Sequence, residues 1–116
     1  MNDVNRVVVT GLGAVTPLGL DAGSYWAGLK DGVAGIGPIE NIPDAEQLSQ
    51  KVAAEVRGFD PFQHFEERAL STLDRVSQIA VVAAREAIAQ SGVALDASLS
   101  ERTAAIVGTG AGGQAT

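Results

Sequence analysis

The residues that could serve as nucleophile, base or metal ligand are few and scattered. The single histidine, His64, stands among aromatics in Phe62-Gln-His-Phe65. A lone histidine in that setting reads as a turn or surface residue. It cannot by itself build a multi-histidine metal centre, and no Ser/His/Asp triad is in sight. There is no cysteine, which removes disulfides, thiolate metal sites and a cysteine nucleophile from these residues. Ser24, Ser71 and Ser77 have no base near them in sequence, and Gly-x-Ser-x-Gly does not occur. Glu66-Glu67 and the Asp44/Glu46 pair read as solvated charges. On side-chain chemistry alone, no catalytic residue, metal ligand or cofactor-binding residue is assigned.

Two glycine-rich stretches remain. The first runs Arg6-Val-Val-Val-Thr-Gly-Leu-Gly-Ala-Val-Thr-Pro-Leu-Gly19, and the second Thr103-Ala-Ala-Ile-Val-Gly-Thr-Gly-Ala-Gly-Gly113. A dinucleotide fingerprint needs G-x-G-x-x-G between a strand and a helix, so that a pyrophosphate lies on the helix N-terminus. The first stretch fails: Gly11 and Gly13 fit, but Thr16 takes the third position and Pro17 follows. The second matches at Gly108, Gly110 and Gly113, yet neither a helix nor a ribose-binding acid follows by residue 116. A lone match in an Ala/Gly-rich sequence is a weak signal, and a tight turn at a sheet edge is the better account of both stretches.

The elements that must carry these loops can be read in order. Three β-branched residues predict a strand at 6–10, and 11–20 a loop closed by Pro17. Asp21 is placed to cap a short helix bearing Tyr25, Trp26 and Leu29, which Gly32 would stop. Gly35-Ile-Gly-Pro38 predicts a turn, 40–50 a loop or short helical piece, and 51–57 a strand ending at Gly58. Phe59, Phe62 and Phe65 are expected to pack under the turn at Asp60-Pro61. The longest helix is predicted from about 72 to 90, with Ser71 and Asp74 at capping-box spacing and Gly92 as its stop. Six consecutive apolar residues, 79–84, cover more than one turn of it. Ile79 and Val82 therefore fall among Arg75, Gln78 and Glu86 on the face expected to be wet. A helix apolar nearly all round is a buried one, and 116 residues offer little to bury it. Two strand–glycine-loop units flanking a long helix predict an α/β fold with a parallel sheet.

Composition narrows the classes further. Hydrophobic residues make up 46% and aromatics only 4%, with 14 glycines, which suits closely stacked layers more than a core of rings. A net charge of −6 argues against a nucleic-acid partner, which would need a basic face. Met1, Asn2 and Asp3 lead into three valines only, without the apolar core of a signal peptide. No stretch approaches the roughly 20 apolar residues of a membrane span. A soluble, cytoplasmic protein is expected.

Five stretches taken together carry a resemblance. Val7-Val-Val-Thr-Gly-Leu-Gly-Ala-Val-Thr-Pro-Leu-Gly19 resembles the opening of β-ketoacyl-acyl-carrier-protein synthases. Trp26-Ala-Gly-Leu-Lys-Asp-Gly-Val-Ala-Gly-Ile36 is similar to the family's next element. The stretch 52–61, Leu73-Asp-Arg75 and the loop 108–113 follow in family order. The set is most similar to the elongating, KAS II-type synthases and covers essentially the whole chain. The resemblance implies the thiolase fold, two α/β halves layered α/β/α/β/α, as a homodimer. It implies condensation of a cysteine-bound acyl chain with malonyl-carrier protein, with loss of carbon dioxide and no cofactor. Histidines assist the cysteine, and backbone N–H groups hold the oxyanion.

Family chains are several times longer than this one, and their nucleophile and histidines come beyond the matched stretch. The resemblance thus implies that residues 1–116 are the N-terminal, incomplete part of a synthase N-terminal domain, inactive by themselves. His64 lies in neither family histidine motif. One site position carries over: the variable residue of the Gly-x-Gly-x-Gly-Gly loop borders the acyl pocket and is often bulky, and here it is Ala111. A small side chain implies more room for acyl carbons. The segment ahead of Leu73, rich in Lys and Arg in bacterial relatives that receive an acidic acyl carrier protein, reads Glu66-Glu-Arg-Ala-Leu-Ser-Thr72 here. Docking of acyl carrier protein through it is therefore in question. Two further readings stay open, a chain-length-factor-like partner subunit and a small nucleotide-binding module. The isolated chain is expected to be poorly soluble or partly unfolded.

Overall fold

A long helix with irregular chain wrapped along it sets the architecture of the computed structural model, which describes residues 5–113. In chain order the elements are α1 (Ala22–Lys30), β1 (Gly37–Pro38), β2 (Val52–Ala53), α2 (Glu67–Leu70), α3 (Arg75–Ser91) and α4 (Ala97–Ser100). Short 3-10 turns at Ala45–Gln47 and Pro61–Gln63 join them. α3 is the hub, and its ends are set chemically. The Ser77 N–H donates to Asp74 Oδ1 at 2.8 Å, which satisfies one of the free donors of the first turn. At the other end Gly92 adopts φ 65°, a left-handed cap that few other residues accept. The predicted stop at Gly92 holds. The capping-box pairing of Ser71 with Asp74 does not, because Ser71 closes α2 and its hydroxyl donates to Arg68 O at 2.8 Å.

α1 forms where Asp21 predicts it. Asp21 Oδ1 accepts the Ser24 N–H at 2.8 Å, and Ser24 Oγ accepts the Asp21 N–H at 3.3 Å, a reciprocal box. Lys30 is its last residue, with Gly32 just beyond at φ 66°.

The middle of the chain folds more locally than expected. The predicted turn at Gly35–Pro38 instead supplies β1, which pairs antiparallel with β2 in the register Gly37 to Ala53 and Pro38 to Val52. Of the strand predicted over 51–57, only Val52 and Ala53 form ladder pairs, with the Ile39 N–H donating to Lys51 O at 3.2 Å beside them. Arg57 secures the far side: its Nη2 donates to Pro38 O at 2.6 Å, and it lies 3.5 Å from Glu40 and 3.6 Å from Glu55. Glu55 in turn accepts the Glu40 and Asn41 N–H groups at 2.9 and 3.0 Å.

The three phenylalanines part ways. Phe59 is 6% exposed, the one buried large apolar side chain among the described residues, whereas Phe65 is half-buried and Phe62 exposed. Phe59 stacks on His64 with ring centroids 5.4 Å apart, and the Arg75 guanidinium also lies over the Phe59 ring, 5.3 Å from its centroid. Arg85 covers Phe65 at 4.9 Å and donates to His64 O at 2.9 Å. Two arginines of α3 thus clamp the 59–65 turn onto the helix through cation–π contacts.

The larger correction concerns the sheet and the helix burial. Neither 6–10 nor 103–107 forms a strand: no ladder joins them to each other or to any other described segment. Val7 is 96% exposed and Ile106 95%. A strand exists only through its neighbours, and β-propensity without a partner leaves irregular chain. The long helix expected to be buried is half-covered, with no fully buried residue. The total accessible surface is 9238 Å², against about 5,900 Å² for a compact monomer of this size. The radius of gyration is 17.6 Å, against about 13 Å for a packed domain of this length. What the described residues build is a helix-centred scaffold with open faces.

Candidate functional site

The chemistry-bearing residues singled out from the sequence are not brought together. His64 is built into the aromatic turn just described. Ser24 completes the α1 cap, Ser71 closes α2 and Ser77 donates into the α3 cap, so each serine has a local structural partner. Glu66 and Glu67 are exposed at the start of α2, and Asp44 is exposed with φ 57°. No group of His, Asp and Glu among the described residues could hold a metal ion. No helix among them is long and apolar enough to cross a membrane.

What the fold does assemble is a pair of glycine loops seated on α3, one near each end. The first lies directly on helix backbone. A Cβ added to Gly11 would stand 2.0 Å from Ala87 O, and one on Gly13 would lie even closer to Ala83 O. Only hydrogen at those positions permits this approach, so the Gly-x-Gly spacing is a packing requirement here. On either side of Gly13, backbone N–H groups turn to α3 side chains. Leu12 N–H donates to Gln90 Oε1 at 2.6 Å, and Ala14 N–H to Glu86 Oε2 at 2.8 Å. Glu86 Oε1 accepts a second donor, the Ala22 N–H, at 2.9 Å. The loop then closes in a Thr16–Gly19 turn, where Thr16 N–H donates to Gly19 O at 2.8 Å.

The second loop returns to the other end of α3. A Cβ on Gly112 would meet Val76 Cγ1 at 2.8 Å, and one on Gly113 would meet Asp74 Oδ2 at 3.1 Å. Asp74 is held below its ordinary carboxylate value by its hydrogen bonds with Ser77. Ala111 stands exposed on the loop. A mostly apolar hollow of about 270 Å³ between α3 and the segment leading into this loop is lined by Val76, Ser77, Ala80, Val81, Val107 and Thr109, and Ala111 is not among its lining residues.

Residues 4–116 match the family described as Beta-ketoacyl synthase, N-terminal domain. The match runs through both glycine loops and the helix between them. The chain belongs to that family. A 3-oxoacyl-[acyl-carrier-protein] synthase 2 of Synechocystis is 38% identical over 108 residues, 93% of this chain and 26% of the relative. A protein of the same name from Staphylococcus aureus is 35% identical over 116 residues, all of this chain and 28% of the relative. The Nodulation protein E of a Rhizobium is 40% identical over 108 residues, 26% of its length. The chain therefore spans about a quarter of the curated relatives it matches. Family membership carries the thiolase-like α/β fold, and the helices with few strands seen here are consistent with it.

The sequence draws attention to both glycine loops but not to the side chains that hold the first. Glu86 falls among residues expected to face water, yet it is half-buried and accepts two backbone N–H groups, while Gln90, at the end of the helix, stays exposed and accepts the Leu12 N–H. The usable signal was a pair of acceptors at i and i+4 on a helix whose other faces are apolar, opposite a Gly-x-Gly segment whose N–H groups had no assigned partner.

Proposed function

We propose that residues 1–116 form the first part of a 3-oxoacyl-carrier-protein synthase. The whole protein would condense an acyl thioester with malonyl-carrier protein, in fatty acid or related acyl-chain biosynthesis. The observation that carries this reading is the family match along 4–116, with relatives named as such synthases. Within that enzyme these residues act as scaffold. None of the 116 is a cysteine, so the nucleophile that the reaction requires is supplied from outside this stretch.

The open faces fit the same reading. Segments 6–10 and 103–107 carry the β-branched residues of buried parallel strands, and in the layered thiolase arrangement both would lie inside a sheet. Ala111 would border the acyl pocket, its small side chain leaving space for a longer chain. A carrier protein would dock elsewhere than on α2, whose exposed Glu66 and Glu67 repel an acidic partner. The nucleotide alternative finds little support, because Asp74 stands beside Gly113 where a phosphate would have to sit.

A chimera tests the proposal. Residues 1–116 replace the matching quarter of the Synechocystis synthase, and condensation of acyl- with malonyl-carrier protein is followed by product mass. Turnover within about tenfold of the parent is expected. A soluble, folded chimera without condensing activity would refute the reading. Coding DNA flanking codons 1–116 adds a second test: a cysteine at the family's nucleophile position supports a condensing subunit, and any other residue a non-catalytic partner.

A further inference from the structure

Glu86 is shared between two elements that make no other hydrogen bond to one another. Its Oε2 takes the N–H of Ala14, in the first glycine loop, and its Oε1 takes the N–H of Ala22, the first residue of α1. The Ala22 donor has no acceptor inside its own helix, because first-turn N–H groups never do. Nor is Glu86 occupied by a cation, since the ion pairs among the described residues involve Arg57 alone. The neighbouring Arg85 is turned to Phe65 and His64. The loop from Gly11 to Leu20 holds no charged side chain, and Asp21, the other carboxylate at this corner, is engaged with Ser24. The charge that faces the α1 N-terminus from α3 is therefore that of Glu86, and helix polarity favours it there.

We propose that Glu86 is a positioning residue which couples the first glycine loop to α1, so that loop and helix keep one relative placement on α3. Gln90 has a narrower task. Its one hydrogen bond to these two elements is the one it accepts from Leu12. The coupling adds to the direct packing of the loop on α1, where Gly19 lies against Ser24 and Tyr25 and Leu18 against Gly28, and it commits one carboxylate oxygen to each element.

Amide hydrogen exchange on the whole chain tests this without relying on any single variant. In the unmodified protein Ala22 should exchange at least tenfold more slowly than Arg75 and Ala97, the first residues of α3 and α4, whose N–H groups lack such an acceptor. Equal exchange at the three positions overturns the proposal. Glu86→Ala keeps a good helix former in α3 and should raise exchange at Ala14 and Ala22 together, by roughly ten- to a hundredfold, with Leu12 changing far less. The deciding readout is a cycle with Asp21→Ala, which frays the start of α1. In the Glu86 background the fraying should pass to Ala14 and speed its exchange severalfold, and in the Glu86→Ala background it should not. Equal effects of Asp21→Ala on Ala14 in both backgrounds would show that no coupling runs through Glu86.

Discussion

Replacing Gly13 by alanine should detach the first loop from α3, and the size of the effect follows from the geometry. A new Cβ would fall within 2 Å of Ala83 O, with the Ala83 carbonyl carbon at 2.8 Å and the Ala87 nitrogen at 3.0 Å. All three are backbone atoms of a regular helix, so no side chain can swing away. To regain van der Waals distance the loop must lift by roughly 1.5 Å. That displacement stretches the 2.8 Å Ala14–Glu86 bond and the 2.6 Å Leu12–Gln90 bond beyond hydrogen-bonding range. A neutral bond is worth about 1 kcal/mol net and one to a carboxylate about 1.5–3, so the loss should come to about 2.5–4 kcal/mol.

Gly110 supplies the control. Nothing lies within 4 Å of a Cβ built there, and its φ is not positive. Gly110→Ala should therefore be neutral or stabilise by up to about 1 kcal/mol, by restricting the unfolded chain. Guanidinium titrations followed by far-ultraviolet circular dichroism compare the two variants with the parent. Equal midpoints for Gly13→Ala and Gly110→Ala would refute the claim that the first Gly-x-Gly is a helix-contact motif.

Other expectations are as direct. Asp74 titrates below its ordinary value because Ser77 hydrogen-bonds its charged form, so its contribution to the α3 cap is present above the unfolded value and lost as pH falls through the lower folded one. Protection of the first α3 amides should fall between about pH 5 and pH 2 in the parent, and Asp74→Asn, which caps without titrating, should flatten that dependence. The open faces leave about 30% less surface to expose on unfolding than a compact chain of this length has, so the guanidinium m-value should be lower by a similar share. A sharp monomeric transition with a full m-value would contradict the exposed faces. Millimolar NAD or ATP should leave the midpoint unmoved, and a rise would revive the nucleotide reading. In the Synechocystis chimera, Ala111→Ile should shorten the longest acyl product, and an unchanged product distribution would dissociate residue 111 from chain length.

Local features were legible in the sequence because their causes are local. Asp21 with Ser24, the left-handed Gly92 and the stop near Gly32 each depend on a few adjacent residues, and each falls where the residue types put it. Ser71 shows the limit of such reading. The spacing Ser-x-x-Asp satisfied a capping pattern, but a separate four-residue helix, Glu67–Leu70, consumed Ser71 as its own end. The valines at 7–9 and the Ala-Ala-Ile-Val run at 104–107 encode β-propensity, yet a ladder needs partners that the described residues do not provide.

α3 marks the boundary between what pattern can and cannot say. Its apolar run covers more than a face, and the simplest inference makes Gln78 and Glu86 the solvated remainder. In the structure both are half-buried: Gln78 Nε2 donates to Leu73 O at 2.7 Å, and Glu86 serves the loop and α1. An amphipathic reading assigns polar residues to water because water is the commonest partner for them. It fails where irregular backbone runs alongside a helix, because that backbone brings its own unpaired N–H groups and needs acceptors. Gly11 and Gly13 admit the backbone, and Glu86 and Gln90 satisfy it. The two pairs answer a single requirement, so a glycine pair in a loop and an acceptor pair at i, i+4 in a distant helix belong in one prediction.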